Sequence, residues 1–107
     1  MIIQYCAVEL YNEEKKDWRA VSLWQLGKNP ELMAAIDQDR LGVREWPGDR
    51  SDIIGGLDKI VFNRKIFYVS ELPLYFEQYG IAYGSLLSSL RCLVDRKIRV
   101  LTYRIEE

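Results

Sequence analysis

The sequence predicts an α+β domain, built as a mostly antiparallel sheet with about three helices packed on one face. Two observations carry that expectation. Residues 2–11 and 98–105, at either end of the chain, alternate β-branched or aromatic side chains with polar ones, which is the period of a strand. Between them, Leu86, Leu87, Leu90, Leu93 and Val94 recur at the spacing of a helix face, and "NPELMAAI" carries a helix-start signal. Strands at both ends with helices between them give a layer of helices on an antiparallel sheet.

Taken in order, residues 2–11 ("IIQYCAVELY") form a strand with Ile3, Tyr5 and Ala7 on one side. The charged run 12–17 is a solvated turn, and 18–26 ("WRAVSLWQL") resumes an extended pattern, so the first 26 residues read as a hairpin. Gly27 ends it. Asn29 is placed to cap a helix, Pro30 suits its first position and Glu31 suits the positive end of its dipole, while Leu32, Met33 and Ile36 share a face. From 41 to 57 periodicity is lost, with turn signals at Pro47-Gly48 and Gly55-Gly56. Residues 59–69 are a strand with a bulge or turn near Asn63-Arg64. Ser70 then caps a second helix, in which Pro73 is tolerated within the first turn and Leu72, Phe76 and Tyr79 share a face before Gly80 stops it. The stripe at 86–94 is the third helix. Residues 98–105 close the sheet with Leu101, Tyr103 and Ile105 on one side.

The chain of 107 residues is one domain's length, residues 1–107, and long enough for an ordinary apolar core. Fifteen basic and sixteen acidic residues leave a formal charge of −1, which argues against a general nucleic-acid binder. There is no histidine, so neither a Ser-His-Asp nor a Cys-His arrangement can form, and no imidazole can bind metal. Enzymatic function is disfavoured on that ground, and no cofactor or metal is expected. Cys6 and Cys92, two lone thiols without a CxxC, read as buried and unpaired. The amino-terminal run meets Glu9 without a basic leader, so a cytoplasmic protein without a membrane partner is expected. Thirteen aromatic residues exceed what one small core readily hides, which favours a homo-oligomer, most simply a homodimer.

The stretch "REWPGDRSD", residues 44–52, is the first candidate site. As a recognition loop it offers Trp46 as a rigid contact, with Arg44 and Arg50 as forked donors for carboxylate or phosphate and Asp49 and Asp52 beside them. In the alternative, purely structural reading, Trp46 enters the core and Arg50 pairs with a neighbouring carboxylate. Tyr75 and Tyr79 add a second candidate contact face, with Glu71 and Glu77 disfavouring nucleic acid there. Arg91, Arg96 and Arg99 are a candidate anion-binding face, or else a solvated one.

The pieces "NPELMAAI", "WPGDRSD" and "FYVSELPLYFEQY", about half the chain, resemble small accessory proteins encoded by phages and prophages. That pattern usually has Arg-Asp-Tyr at the first helix start, where Lys28-Asn29-Pro30 stand here, and Gly42-Val43-Arg44 follows later than usual. The resemblance implies a protein without established activity, of a class that blocks host-defence components or sequesters a nucleotide signal. The leading expectation is therefore a non-enzymatic binding protein acting on a host protein. The alternatives are a nucleotide binder using Arg44, Trp46 and Arg50, or a metal-dependent carboxylate hydrolase using Asp49 and Asp52. Were the loop purely a recognition surface, Arg50→Ala would leave the melting temperature nearly unchanged.

The stripe at 86–94 generates a stability prediction. Leu90 lies at its centre, so Leu90→Ala should cost roughly 2–5 kcal/mol, measured by urea unfolding. A loss near zero would show that this face is not buried.

Overall fold

The alternation at both ends of the chain yields neighbouring strands. A computed structural model describes residues 1–42, 45–48, 50–55, 59–71, 73–79 and 98–106. Strands β1 (Ile2–Asn12), β2 (Asp17–Gly27), β3 (Ile60–Tyr68) and β4 (Ile98–Glu106) form one sheet in the order β2-β1-β4-β3, with every neighbouring pair antiparallel. Short helices α1 (Pro30–Gln38), α2 (Ser51–Ile54) and α3 (Leu74–Tyr79) complete the described elements, with a 3-10 turn at Val69–Glu71. The stripe at 86–94 lies outside the described residues. Among those described, no helix is long and apolar enough to cross a membrane.

The central strands decide how the layers stack. On one face Cys6 and Val8 of β1 pack with Ile98 and Val100 of β4, Phe67 of β3 and Phe76 of α3. On the other, Ala7, Leu101, Tyr103, Ile105 and Ile66 pack with Trp46 and with Ile53 and Ile54 of α2. Of the helices the sequence predicts, the two described, α1 and α3, cover one face, while the turn α2, which it does not predict, covers the other. The physical reason is that β4 is apolar on both sides: every residue from Ile98 to Ile105 is buried, and each side needs its own cover.

Local signals explain most element boundaries. Asn29 Oδ1 accepts hydrogen bonds from the backbone N–H groups of Glu31 and Leu32, both at 3.1 Å, which starts α1 as expected. The last turn of α1 has no basic residue of its own. The sheet supplies the cations instead: the buried Lys65 donates to the carbonyls of Ile36 and Asp39, and Arg104 donates to the Met33 carbonyl at 2.8 Å. The irregularity near Asn63-Arg64 is a bulge, with Asn63 at φ 54° and a register shift between Phe62 and Lys65. Helix α3 begins at Leu74, not at Ser70. A proline disfavours helical geometry in the residue before it, and the Phe76 N–H closes the first turn onto the Pro73 carbonyl at 3.2 Å. One turn, α2, falls where periodicity is absent, because four residues are too few to show any.

Gly42 fixes how the segment after α1 returns to the sheet. Its carbonyl accepts from the Ile66 N–H at 3.1 Å, and a Cβ at this position would collide with the Phe67 ring. Phe67 is itself fully buried and cannot step aside. Gly42→Ala should therefore destabilise the fold by about 1–3 kcal/mol, as overpacking does. Paired thermal melts of the two proteins check it, and equal melting temperatures would contradict the close approach.

Candidate functional site

The site is built on a carboxylate that continues an apolar series. Ile3, Tyr5 and Ala7 of β1 face α2, and the next residue on that side is Glu9, whose side chain is fully buried. A buried carboxylate is costly unless paired. Its cross-strand partner in β4 is Arg99, whose Nε donates to Glu9 Oε1 at 2.8 Å. The second partner arrives from the loop. Arg50 Nη1 donates to Glu9 Oε1 at 3.2 Å, and Arg50 Nη2 donates to Glu9 Oε2. This is the forked geometry that suits arginine and not lysine.

Arg50 is held from outside as well. Its Nε and Nη2 donate to the two Asp52 oxygens, each at 3.0 Å. Its backbone stands at φ 55°, and its carbonyl accepts from the Ile53 and Ile54 N–H groups at 3.1 Å, which sets α2 in place. Hydrogen bonds to Asp52 and Glu9 push the Arg50 pKa further up, and the same contact pulls the Asp52 carboxyl below its usual range. Arg99 also lies over the Trp18 ring, 4.5 Å from its centroid. Trp18 in turn meets Tyr11 and Tyr68 edge-on. A cavity of about 330 Å³ opens here, lined by Asp17, Trp18, Pro47, Arg50, Asp52 and Arg99.

Trp46 is the loop's other anchor. It is buried against Tyr103 in an edge-to-face contact at 5.3 Å, its Nε1–H donates to the Lys65 carbonyl at 3.3 Å, and the Arg64 guanidinium lies over its ring. Tyr103 donates to the Ile53 carbonyl at 3.2 Å, and burial pushes its phenol up to about 12. Trp46 is thus a core residue, and its ring has no open face on which a base could stack.

The structure brings Trp46, Arg50 and Asp52 together and turns the first two inward, while Asp52 stays exposed. Arg50 is part of the fold's buried ion network, and without it Glu9 would keep Arg99 alone. Arg44 and Asp49 lie outside the described residues, as do Arg91, Arg96 and the side chain of Tyr79. Tyr75 belongs elsewhere, since it packs against the Cys6–Phe76 cluster on the opposite face of the sheet. Sequence reasoning missed Glu9 and Trp18 and placed Arg99, with Arg91 and Arg96, on an anion-binding or solvated face. The signal for Glu9 was present: a lone acid at an inward position of an apolar strand needs a cation. Only the β1–β4 register identifies that cation as Arg99.

The arrangement is balanced, with two carboxylates against two guanidinium groups, and each carboxylate is engaged by arginine. Among the described residues no cluster of three or more potential ligands could hold a metal ion. No protein-family model matches the chain, and neither does a curated protein or a solved structure.

Removal of either anchor should be expensive. Arg50→Ala should cost about 3–5 kcal/mol of folding stability, because it leaves the Glu9 charge buried with one partner, and chemical unfolding reads this directly. Asp52 has a folded pKa below its unfolded value, so its stabilisation is present above about pH 4 and fades as pH falls through the folded value. The acid limb of a stability profile should therefore be shallower for Asp52→Asn than for the native chain. A superimposable limb would contradict the Arg50–Asp52 contact.

Proposed function

We propose that this chain is a non-enzymatic binding protein, an accessory factor of phage or mobile-element type that acts in the cytoplasm by blocking or sequestering a host protein. The observation that carries the proposal is the way the loop is held. Trp46 and Arg50 anchor it from below, leaving Pro47, Gly48 and Asp52 outward beside the Trp18-lined cavity. A loop held in its bound shape before association loses little entropy on binding. Trp46 and Arg50 serve here as anchors, and the contact residues are those on the rim.

Two other readings have less support. A nucleotide binder would use Arg44, Trp46 and Arg50; Arg44 lies outside the described residues, Trp46 is buried, and Arg50 is engaged by Glu9 and Asp52. A carboxylate hydrolase would need a metal cluster or a free base, and Asp52 is tied to Arg50.

The test is capture from host lysate with quantitative mass spectrometry, comparing the native chain with Pro47→Arg. Pro47 is exposed, so the variant should melt within about 2 °C of the native protein, as surface changes usually do. It should recover at least tenfold less of the specific partner. Equal recovery by both proteins would overturn the assignment of the rim. A melting temperature raised by nucleotides, with no protein captured, would favour the small-ligand reading.

A further inference from the structure

The two arginines that converge on Glu9 are used unequally, and the difference points to the chemistry of what the rim binds. Arg50 is spent: its Nε, Nη1 and Nη2 all donate, to Glu9 or to Asp52. Arg99 gives only its Nε–H, to Glu9 Oε1. Its two terminal amino groups, Nη1 and Nη2, donate to no described residue, although Arg99 is only 6% exposed. A guanidinium buried that deeply normally has its N–H groups satisfied, and each exception calls for a reason. The cavity of about 330 Å³ supplies one, because Arg99 forms its wall together with Trp18, Pro47, Arg50 and Asp52.

We infer that Arg99 is the recognition group of this cavity, and that its unused fork receives the side-chain carboxylate of an acidic residue on the partner protein. That the carboxylate belongs to a protein rests on the rim being the partner-facing surface; the fork itself does not. Three features suit this ligand. Paired N–H groups in one plane match the two oxygens of a carboxylate, and charge-assisted bonds of this kind are the strong ones. The Trp18 ring, with its centroid 4.5 Å from the guanidinium, covers one face of Arg99, while Glu9 fixes the Nε end. The fork is therefore held in place before binding and loses little freedom on it. The acids at the border are already engaged, Asp52 by Arg50 at 3.0 Å and Asp17 by Arg19 at 3.7 Å. Both acids remain more than half exposed, so a doubly charged phosphate is repelled more strongly than a singly charged carboxylate. A cationic side chain would leave the Arg99 fork unmet.

The experiment titrates the full chain with capped glutamate (N-acetylglutamate α-amide) and with its neutral counterpart, capped glutamine. Nuclear magnetic resonance follows the Arg99 Nε–H and the Trp18 indole N–H. Glutamate should shift both signals with millimolar affinity, and glutamine, which lacks the charge, should bind roughly tenfold more weakly. Arg99→Lys keeps a cation beside Glu9 but loses the fork. It should therefore weaken glutamate binding at least tenfold while retaining the native circular dichroism spectrum. Should that variant fail to fold, the glutamate–glutamine ratio of the native chain decides alone. Equal affinity for the two probes would overturn the inference, as would inorganic phosphate binding more tightly than glutamate, or shifts at Arg19 in place of Arg99. No glutamate binding, with partner capture still lost in Pro47→Arg, would overturn the fork and leave the rim standing. Glutamate bound at Arg99, with capture unaffected by Pro47→Arg, would sustain the fork and overturn the rim.

Discussion

One buried carboxylate organises half of this protein. Glu9 lies beneath the loop and between strands, and its charge is tolerable only because Arg99 and Arg50 converge on it. Those two cations come from segments that otherwise share little: Arg99 from the central strand β4, Arg50 from the position just before the helical turn α2. A hydrophobic residue at position 9 would let the loop settle in several ways. A carboxylate demands a fork of N–H groups at one place, so the position of Arg50 is specified, and with it those of Asp52 and α2. Buried ion pairs contribute more to such specificity than to net stability in some systems. Here the geometry fits that role.

The opposite face repeats the logic with different chemistry. Arg104 faces α1 as Arg99 faces α2, because residues 99 and 104 of one strand point to opposite sides. Arg104 is held by Gln4 at 2.7 Å and by Asp37 at 3.0 Å while it donates to the end of α1, and Lys65 joins it there. The sheet therefore provides a helix with the charge that its own last turn lacks. The apolar clusters supply most of the driving force on both faces, and the polar residues decide where each covering segment stops.

How much of this was legible in the sequence depended on range. The four strands, the Asn29 cap and the bulge near Asn63 were readable because alternation, capping and turn chemistry are local. The cover of the second face by α2 was not, because Ile98, Val100, Leu101 and Tyr103 read as one alternating strand until β4 is known to be central. The candidate loop was half legible. Trp46 and Arg50 stood out as residue types, but their inward direction depends on Glu9, forty-one positions before Arg50. No pattern within a window of ten residues connects them.

The sheet order also has a consequence for synthesis. Because β1 pairs with β4, β1 must wait for β4, and Glu9 meets Arg99 only after ninety further positions have been translated. Closing a loop of that length costs on the order of 4 kcal/mol in chain entropy, so little of the native ladder can form early. Until residue 99 leaves the ribosome, the β1–β2 hairpin lacks the strand that pairs with its other edge, and Glu9 lacks its cross-strand partner.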